Sequence, residues 1–151
     1  MDFEKQDKGM VLVGRVVSGT GQGRRYMSLP GYKKQFVQKL GIDPFYGTLN
    51  VELNEANVKK LEEIKQHTPI LVEGFREGKQ KFGEVFCYIA QLRGMRCALV
   101  IPKLSMHRNI AEIISSNELR ASLNLKDGSR VSVEVCISFR ITSTIDKCVV
   151  P

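Results

Sequence analysis

The sequence predicts a mainly β fold, a small closed β-barrel with a few short helices, and three observations predict it. Short runs of β-branched or alternating residues recur along nearly all of the 151 residues, and glycine or proline punctuates the gaps between them. Few connections are long enough for the crossover helices that a parallel sheet requires. The length fits one domain with one core, and a composition that is 42% hydrophobic and 26% charged excludes a disordered chain.

Residues 1–9 are polar and patternless and are expected to form a flexible N-terminal segment. From Gly9 to Val17 the chain is β-branched and roughly alternating, as in a strand entering a core. After Leu29-Pro30, the spacing of Tyr32, Phe36, Val37 and Leu40 predicts a short amphipathic helix that Gly41 can cap. Pro44 and Gly47 mark a turn into Thr48 to Leu53. There Leu49, Val51 and Leu53 alternate with Thr48, Asn50 and Glu52, which predicts a half-buried strand with an accessible polar face. Residues 54–66 are charged and suit a helix. Ile70 to Val72 and Val85 to Ala90 read as strands joined through a hairpin turn at 76–83. Cys97 to Ile101 reads as a strand stopped by Pro102, and Asn109 to Ile114 as either a strand or one helical turn. Asn117 to Leu125 predicts a short helix, which Asp127-Gly128 turns into the alternating strand Arg130 to Val135. Six or seven strands and two or three helices result.

Lys and Arg number 23 against 16 Asp and Glu, a formal net charge of +7 that favours anionic partners such as nucleotide, phosphate or nucleic acid. No apolar run approaches the ~18 residues of a membrane span, and the start Met1-Asp2-Phe3-Glu4-Lys5 lacks the pattern of a signal peptide. A cytoplasmic location and no membrane partner are expected. Cys87, Cys97, Cys136 and Cys148 form no C-x-x-C pair and have no histidine at zinc-binding spacing, so buried reduced thiols are expected.

Four segments can carry chemistry. In Ser18-Gly19-Thr20-Gly21-Gln22-Gly23-Arg24-Arg25, alternate glycines let backbone N–H groups converge on a phosphate and arginine adds charge-assisted donors. The segment is neither a Walker A loop nor a dinucleotide fingerprint, and a flexible glycine hairpin accounts for it equally well. Thr48 and Asn50 place two neutral oxygens on one face of a strand, where they could share a hard cation such as Mg²⁺ or simply form a polar barrel surface. Glu112, inside the apolar Ile110-Ala111-Glu112-Ile113-Ile114, is a carboxylate that burial would partly desolvate and that could orient or deprotonate a hydroxyl, unless it points outward. Ser105 and His107 lie upstream in a polar loop, where a lone histidine usually faces solvent. The fourth segment runs from Leu119-Arg120 through Asp127-Gly128 to Val133. It also resembles the swapped-hairpin barrels of bacterial transition-state regulators, a DNA-binding alternative in which Arg93, Arg96, Lys103, Arg108 and Arg130 would touch phosphates.

Taken in order, Gly14-x-Val16-x-Ser18-Gly19-x-Gly21-x-Gly23, Leu29-Pro30-x-Tyr32, Leu40-Gly41, Pro44, Gly47-Thr48-Leu49-Asn50 and Leu119-Arg120…Asp127-Gly128 resemble the archaeal CTP-dependent riboflavin kinase family. The resemblance covers roughly Met10 to Val135. It implies a six-stranded cradle-loop barrel over residues 10–138, followed by a C-terminal tail, 139–151, of no assigned function. It also implies transfer of the γ-phosphoryl of CTP to the 5′-hydroxyl of riboflavin, giving FMN and CDP. Gly19, Thr20, Gly21, Gln22, Gly23 and Arg24 would hold the nucleotide phosphates. Asn117, Glu118, Leu119 and Arg120 would contact the nucleotide, Thr48 and Asn50 would bind Mg²⁺, and Ser105 and Glu112 would face the flavin. From the chemistry of its carboxylate, Glu112 is expected to hydrogen-bond the 5′-hydroxyl and to serve as the catalytic base. Ser105 stands where the family is expected to have threonine. Some relatives carry an N-terminal DNA-binding domain, which residues 1–9 are too few to form. Nucleic acid is therefore not expected as a partner, and a monomer is.

Overall fold

The computed structural model describes residues 7–19, 26–45, 47–105 and 108–138. Strand β1 (Asp7–Val17) pairs antiparallel with β2 (Leu49–Leu53) on one side and with β9 (Arg130–Ser138) on the other. β2 pairs with β8 (Ile110–Ile114), β8 with β7 (Met95–Pro102), and β7 with β6 (Val85–Leu92). β6 then returns to β9 through Ala90–Leu92 and closes a six-stranded antiparallel barrel. The other end of β6 leaves the barrel and accepts β3 (Ile70–Val72) at Val85–Cys87. A separate two-stranded hairpin, β4 (Phe75–Glu77) with β5 (Gln80–Phe82), occupies the connection that reads as a hairpin turn, and Gly78 takes φ +65° at its tip.

The alternation of β2 is the rule for the barrel. Leu49, Val51 and Leu53 point into the interior beside Leu12, Val16, Leu92, Leu99, Ile113 and Val133, while Asn50 and Glu52 face outward. Each fully buried aliphatic side chain contributes about 1.5–3 kcal/mol by leaving water. Helix α2 (Glu55–Ile64) plugs one end with Val58, Leu61 and Ile64. Asn54 caps it by accepting from the Asn57 amide at 3.0 Å. The buried Asn57 side chain in turn accepts from the Val13 amide at 2.9 Å, which ties the plug to β1.

A second apolar layer lies on the outside. Helix α1 (Pro30–Gln35) runs into a wider π-helical turn, Phe36–Leu40, and packs Tyr32, Phe36 and Leu40 with Val72, Val85, Cys87, Ile89, Ala98 and Val100. The predicted face also included Val37, which is 47% exposed. A π turn takes more residues per revolution than an α turn, so positions four apart stay aligned and Val37 rotates out. Gly41 ends this turn at φ +69°, in the left-handed conformation expected of a glycine cap.

Several boundaries differ from the sequence reading. β1 begins at Asp7, inside the segment expected to be loose, because its first residues pair with the end of β9. The ambiguous Asn109 to Ile114 stretch is strand β8, since its flanking strands supply ladder partners on both edges. The final helix, α3, covers only Leu119–Ser122. Residues 139–151, the predicted tail, lie outside the described residues. Cys87 and Cys97 are buried free thiols as expected, whereas Cys136 is disulfide-bonded, against the expectation of reduced thiols throughout.

Burial pushes the Cys87 and Cys97 thiols and the Tyr88 hydroxyl each up to about 12, from ordinary values of 9.0, 9.0 and 10.0. The native barrel therefore holds protons that the unfolded chain releases above the ordinary values. The associated stabilisation is complete below pH 9 and is lost as pH rises toward 12. The urea midpoint is expected to fall steadily across that window, with a shallower fall in Cys97→Ala. Equal slopes in the two proteins would contradict this assignment.

Candidate functional site

The barrel register assembles one row of residues across four strands. Val17 pairs with Asn50, Asn50 with Glu112, and Glu112 with Val100. Directly opposed residues of an antiparallel pair hold their Cβ atoms about 4.5–5.5 Å apart, so Asn50 and Glu112 are immediate neighbours although 62 positions separate them in the chain. Val17 ends β1, and the glycine-rich segment starts from that end of the row. Glu112 is partly buried, as its apolar flanks predict. It has an interaction partner in the fold.

β7 and β8 stay paired only from Ala98–Ile114 to Val100–Glu112, after which the strands part. A cavity of about 450 Å³ opens in the fork, with Glu112 at its apex. Leu61, Tyr88, Leu99 and Ile101 make its apolar wall, and Ser105, Lys103 and Arg108 its polar rim. The Tyr88 hydroxyl donates to the His67 carbonyl at 2.8 Å, which fixes that ring in the wall. Ser105 and Glu112, the two residues expected to face a flavin, thus line a single cavity.

Gly19 meets Asn50 from the other side. A Cβ at Gly19 would overlap the Asn50 amide nitrogen, so any side chain at the first glycine of the loop would force Asn50 to move. Thr20, Gly21, Gln22, Gly23 and Arg24 lie outside the described residues, as does His107. Thr48 sits two positions from Asn50 on the outward face of the β2 chain. Neither side chain has a hydrogen-bond partner among the described residues. Both offer hard oxygens, and no group of three or more His, Cys, Asp or Glu able to hold a metal occurs among the described residues. A cation here would have to bring most of its own ligands, which fits Mg²⁺ arriving with water and phosphate oxygens.

The four residues expected beside the nucleotide divide. Asn117 and Glu118 are exposed ahead of α3, and the Asn117 amide donates to Ser115 Oγ at 3.2 Å. The Leu119 side chain is 5% exposed and belongs to the barrel core, so only its backbone is available to a ligand. Arg120 reaches the end of β1, where its guanidinium donates to the Val17 carbonyl at 3.3 Å and to Asp127 Oδ1 at 2.8 Å. Ser18 Oγ donates to the other Asp127 oxygen at 2.7 Å. The sequence reading missed Asp127 as a contact, seeing it only as a turn residue. The strand fork was missed too, its one signal being Pro102 at the point where β7 leaves the ladder.

The basic residues that a DNA-binding barrel would use do not form one stripe. Lys103 and Arg108 line the fork cavity, whereas Arg93 and Arg130 line a separate groove with Gln91 and Glu134. Arg96 donates to the Leu40 carbonyl at 2.8 Å. No helix among the described residues is long and apolar enough to cross a membrane.

Residues 16–135 match the sequence model of the CTP-dependent riboflavin kinase family, described as a domain of unknown function, DUF120. A riboflavin kinase of Ignicoccus hospitalis is 46% identical over 146 residues, covering 89% of this chain and 82% of the relative. Those of Picrophilus torridus and Archaeoglobus fulgidus are 41% and 42% identical, covering 86% and 91% of this chain. This chain spans only 59% and 60% of these two longer relatives.

A methyl group at Gly19 would drive the Asn50 amide from its place on β2. For a magnesium–nucleotide ligand held beside Asn50, Gly19→Ala is expected to weaken calorimetrically measured binding about tenfold, equivalent to about 1.4 kcal/mol. The exposed loop start should leave the melting midpoint within about 3 °C. Unchanged affinity would show that the loop start does not set Asn50.

Proposed function

Because the chain belongs to the CTP-dependent riboflavin kinase family, we propose that it transfers the γ-phosphoryl of CTP to the 5′-hydroxyl of riboflavin, yielding FMN and CDP. The observation that carries this reading is the pairing of Asn50 with Glu112 at the apex of the fork cavity. A candidate phosphate-side group and a candidate hydroxyl-side group thereby stand side by side. The cavity volume lies within the ~300–1,000 Å³ usual for small-molecule sites, and an apolar wall with a polar rim suits a flat ring carrying a hydroxylated chain.

Phosphoryl transfer demands in-line positioning and neutralisation of charge more than covalent chemistry. Backbone N–H groups from Gly19 onward, with Arg24 and Arg120, would hold the nucleotide phosphates. Thr48 and Asn50 would hold Mg²⁺, which supplies charge neutralisation on the phosphate oxygens. In the fork, Glu112 accepts a hydrogen bond from the ribityl 5′-hydroxyl and orients its oxygen toward the γ-phosphorus. The new P–O bond forms as the bond to the CDP oxygen breaks, and the hydroxyl proton passes to the Glu112 carboxylate and then to water. Ser105 at the rim would hydrogen-bond the flavin. A monomeric, cytoplasmic enzyme is part of the same proposal.

The test is chromatography of the flavin after incubation of riboflavin with MgCl₂ and CTP, ATP, GTP or UTP in turn. FMN formed best with CTP is expected, and no FMN with any nucleotide would overturn the reading. Glu112→Gln, which keeps the shape of the side chain but cannot take the proton, is expected to lower kcat by about 10²- to 10⁴-fold. Wild-type turnover in that variant would remove the base from Glu112.

A further inference from the structure

Three segments distant in sequence converge at the foot of the glycine-rich loop. Val17 ends β1 and Ser18 follows it, Arg120 comes from α3, and Asp127 opens the turn that leads into β9. Asp127 is the only one of the three side chains that touches both others. One carboxylate oxygen accepts from Arg120 at 2.8 Å and the other from Ser18 Oγ at 2.7 Å. The turn that carries Asp127 is itself stapled to β1. The Gly128 amide donates to the Val16 carbonyl at 2.8 Å, and the Val16 amide donates to the Ser129 carbonyl at 2.8 Å. Arg15 adds a bond to the Gly128 carbonyl at 3.1 Å. Gly128, at φ +93°, permits the turn.

Asp127 therefore sits on a backbone pinned to the foot of the loop, and each of its two oxygens accepts a bond from a different side chain there. A surface ion pair of this exposure is worth little as a stabiliser, since the Arg120 and Asp127 side chains are 35% and 59% exposed. Its consequence is geometric. The single Arg120 nitrogen Nη2 makes both bonds, to Asp127 and to the Val17 carbonyl. The planar guanidinium is thus fixed in orientation, and no bond to its other nitrogens is formed among the described residues. The Ser18 hydroxyl, then the Arg120 guanidinium, hold the Asp127 carboxyl below its ordinary value, so the clamp is charged at neutral pH.

The geometry points to Asp127 as a positioning residue for the phosphate end of the site. It locks the Arg120 guanidinium and the Ser18 entrance to the glycine-rich loop in the arrangement that receives the polyphosphate of the nucleotide. This assignment rests on the kinase reading for the identity of the ligand, and it concerns the nucleotide half of the site alone. Flavin binding in the fork, built from other strands, does not pass through it.

The experiment compares wild type with Asp127→Asn, Ser18→Ala, Arg120→Lys and the pairwise double variants. Magnesium–CTP binding is followed by calorimetry, and steady-state kinetics are measured against each substrate. Asp127→Asn should raise the CTP Kd and KM about tenfold, because one charge-assisted bond to each partner is weakened. The riboflavin KM should stay unchanged and the melting midpoint should move by less than about 3 °C. Ser18→Ala should give a smaller rise of about threefold, and Ser18→Thr, which keeps the hydroxyl, should restore affinity. The Ser18→Ala and Arg120→Lys effects should combine non-additively, although these two side chains meet only through Asp127. If the wild type binds CTP and makes FMN while Asp127→Asn leaves CTP affinity unaltered, or shifts both KM values together, the positioning role is overturned and the kinase reading stands. If the wild type neither binds CTP nor makes FMN, the kinase reading falls and the positioning role falls with it.

Discussion

The register of β2 against its two neighbours is the constraint on which the site depends. A strand has a side-chain period of two, so a slip of β2 by one residue would turn Asn50 into the barrel, away from the face it shares with Glu112, and Leu49 and Val51 out of it. Burial of those apolar side chains makes such a slip very costly, and closure through β6 and β9 leaves no free edge along which the strands could shift. Hydrophobic packing inside the barrel thus fixes polar geometry outside it. The two candidate functional groups need no hydrogen bond to each other in order to be adjacent.

Closure also explains why the cavity lies where it does. β8 keeps Ala111 and Ile110 paired with β2, while β7 runs on through Ile101 and Pro102 without pairing to them, so the two strands part there. Pro102 cannot donate to a ladder and stands at the end of β7, where the fork has opened. Helix α2 reaches the same region from within, and Leu61 turns what would be a gap in the barrel wall into a lined pocket. On the outer surface, Tyr32 packs edge-on against Phe75 at 4.8 Å, and a Cβ at Gly31 would lie 2.7 Å from that ring. The β4–β5 hairpin is thereby held against α1.

Much of this was legible in the sequence, for reasons particular to each element. The alternation in Thr48 to Leu53 identified both the strand and its accessible face, because one side of β2 is fully apolar and the other fully polar. Glu112 stood out because a carboxylate between isoleucines is conspicuous at any register. The pairing of Asn50 with Glu112 was not legible, since register between strands 62 positions apart depends on closure of the whole barrel. Asp127 was read as a turn residue because Asp-Gly signals a turn whether or not the carboxylate has distant partners. Val37 was placed on the buried face because α-helical spacing was assumed where the chain widens to a π turn. Leu119 shows what a motif leaves open: the packing commits its side chain to the core, so any contact it makes with a ligand runs through its backbone.

The proposed function requires that a nucleotide and a flavin meet across the Asn50–Glu112 pair. A crystal structure of the protein with riboflavin, CDP and MgCl₂ tests it most directly. The claim predicts the ribityl 5′-hydroxyl within about 2.6–3.2 Å of a Glu112 oxygen, the ring in the fork between β7 and β8, and the diphosphate beside Gly19 and Asn50. A flavin bound outside the fork, or a diphosphate on a face of the barrel remote from Asn50, would contradict it.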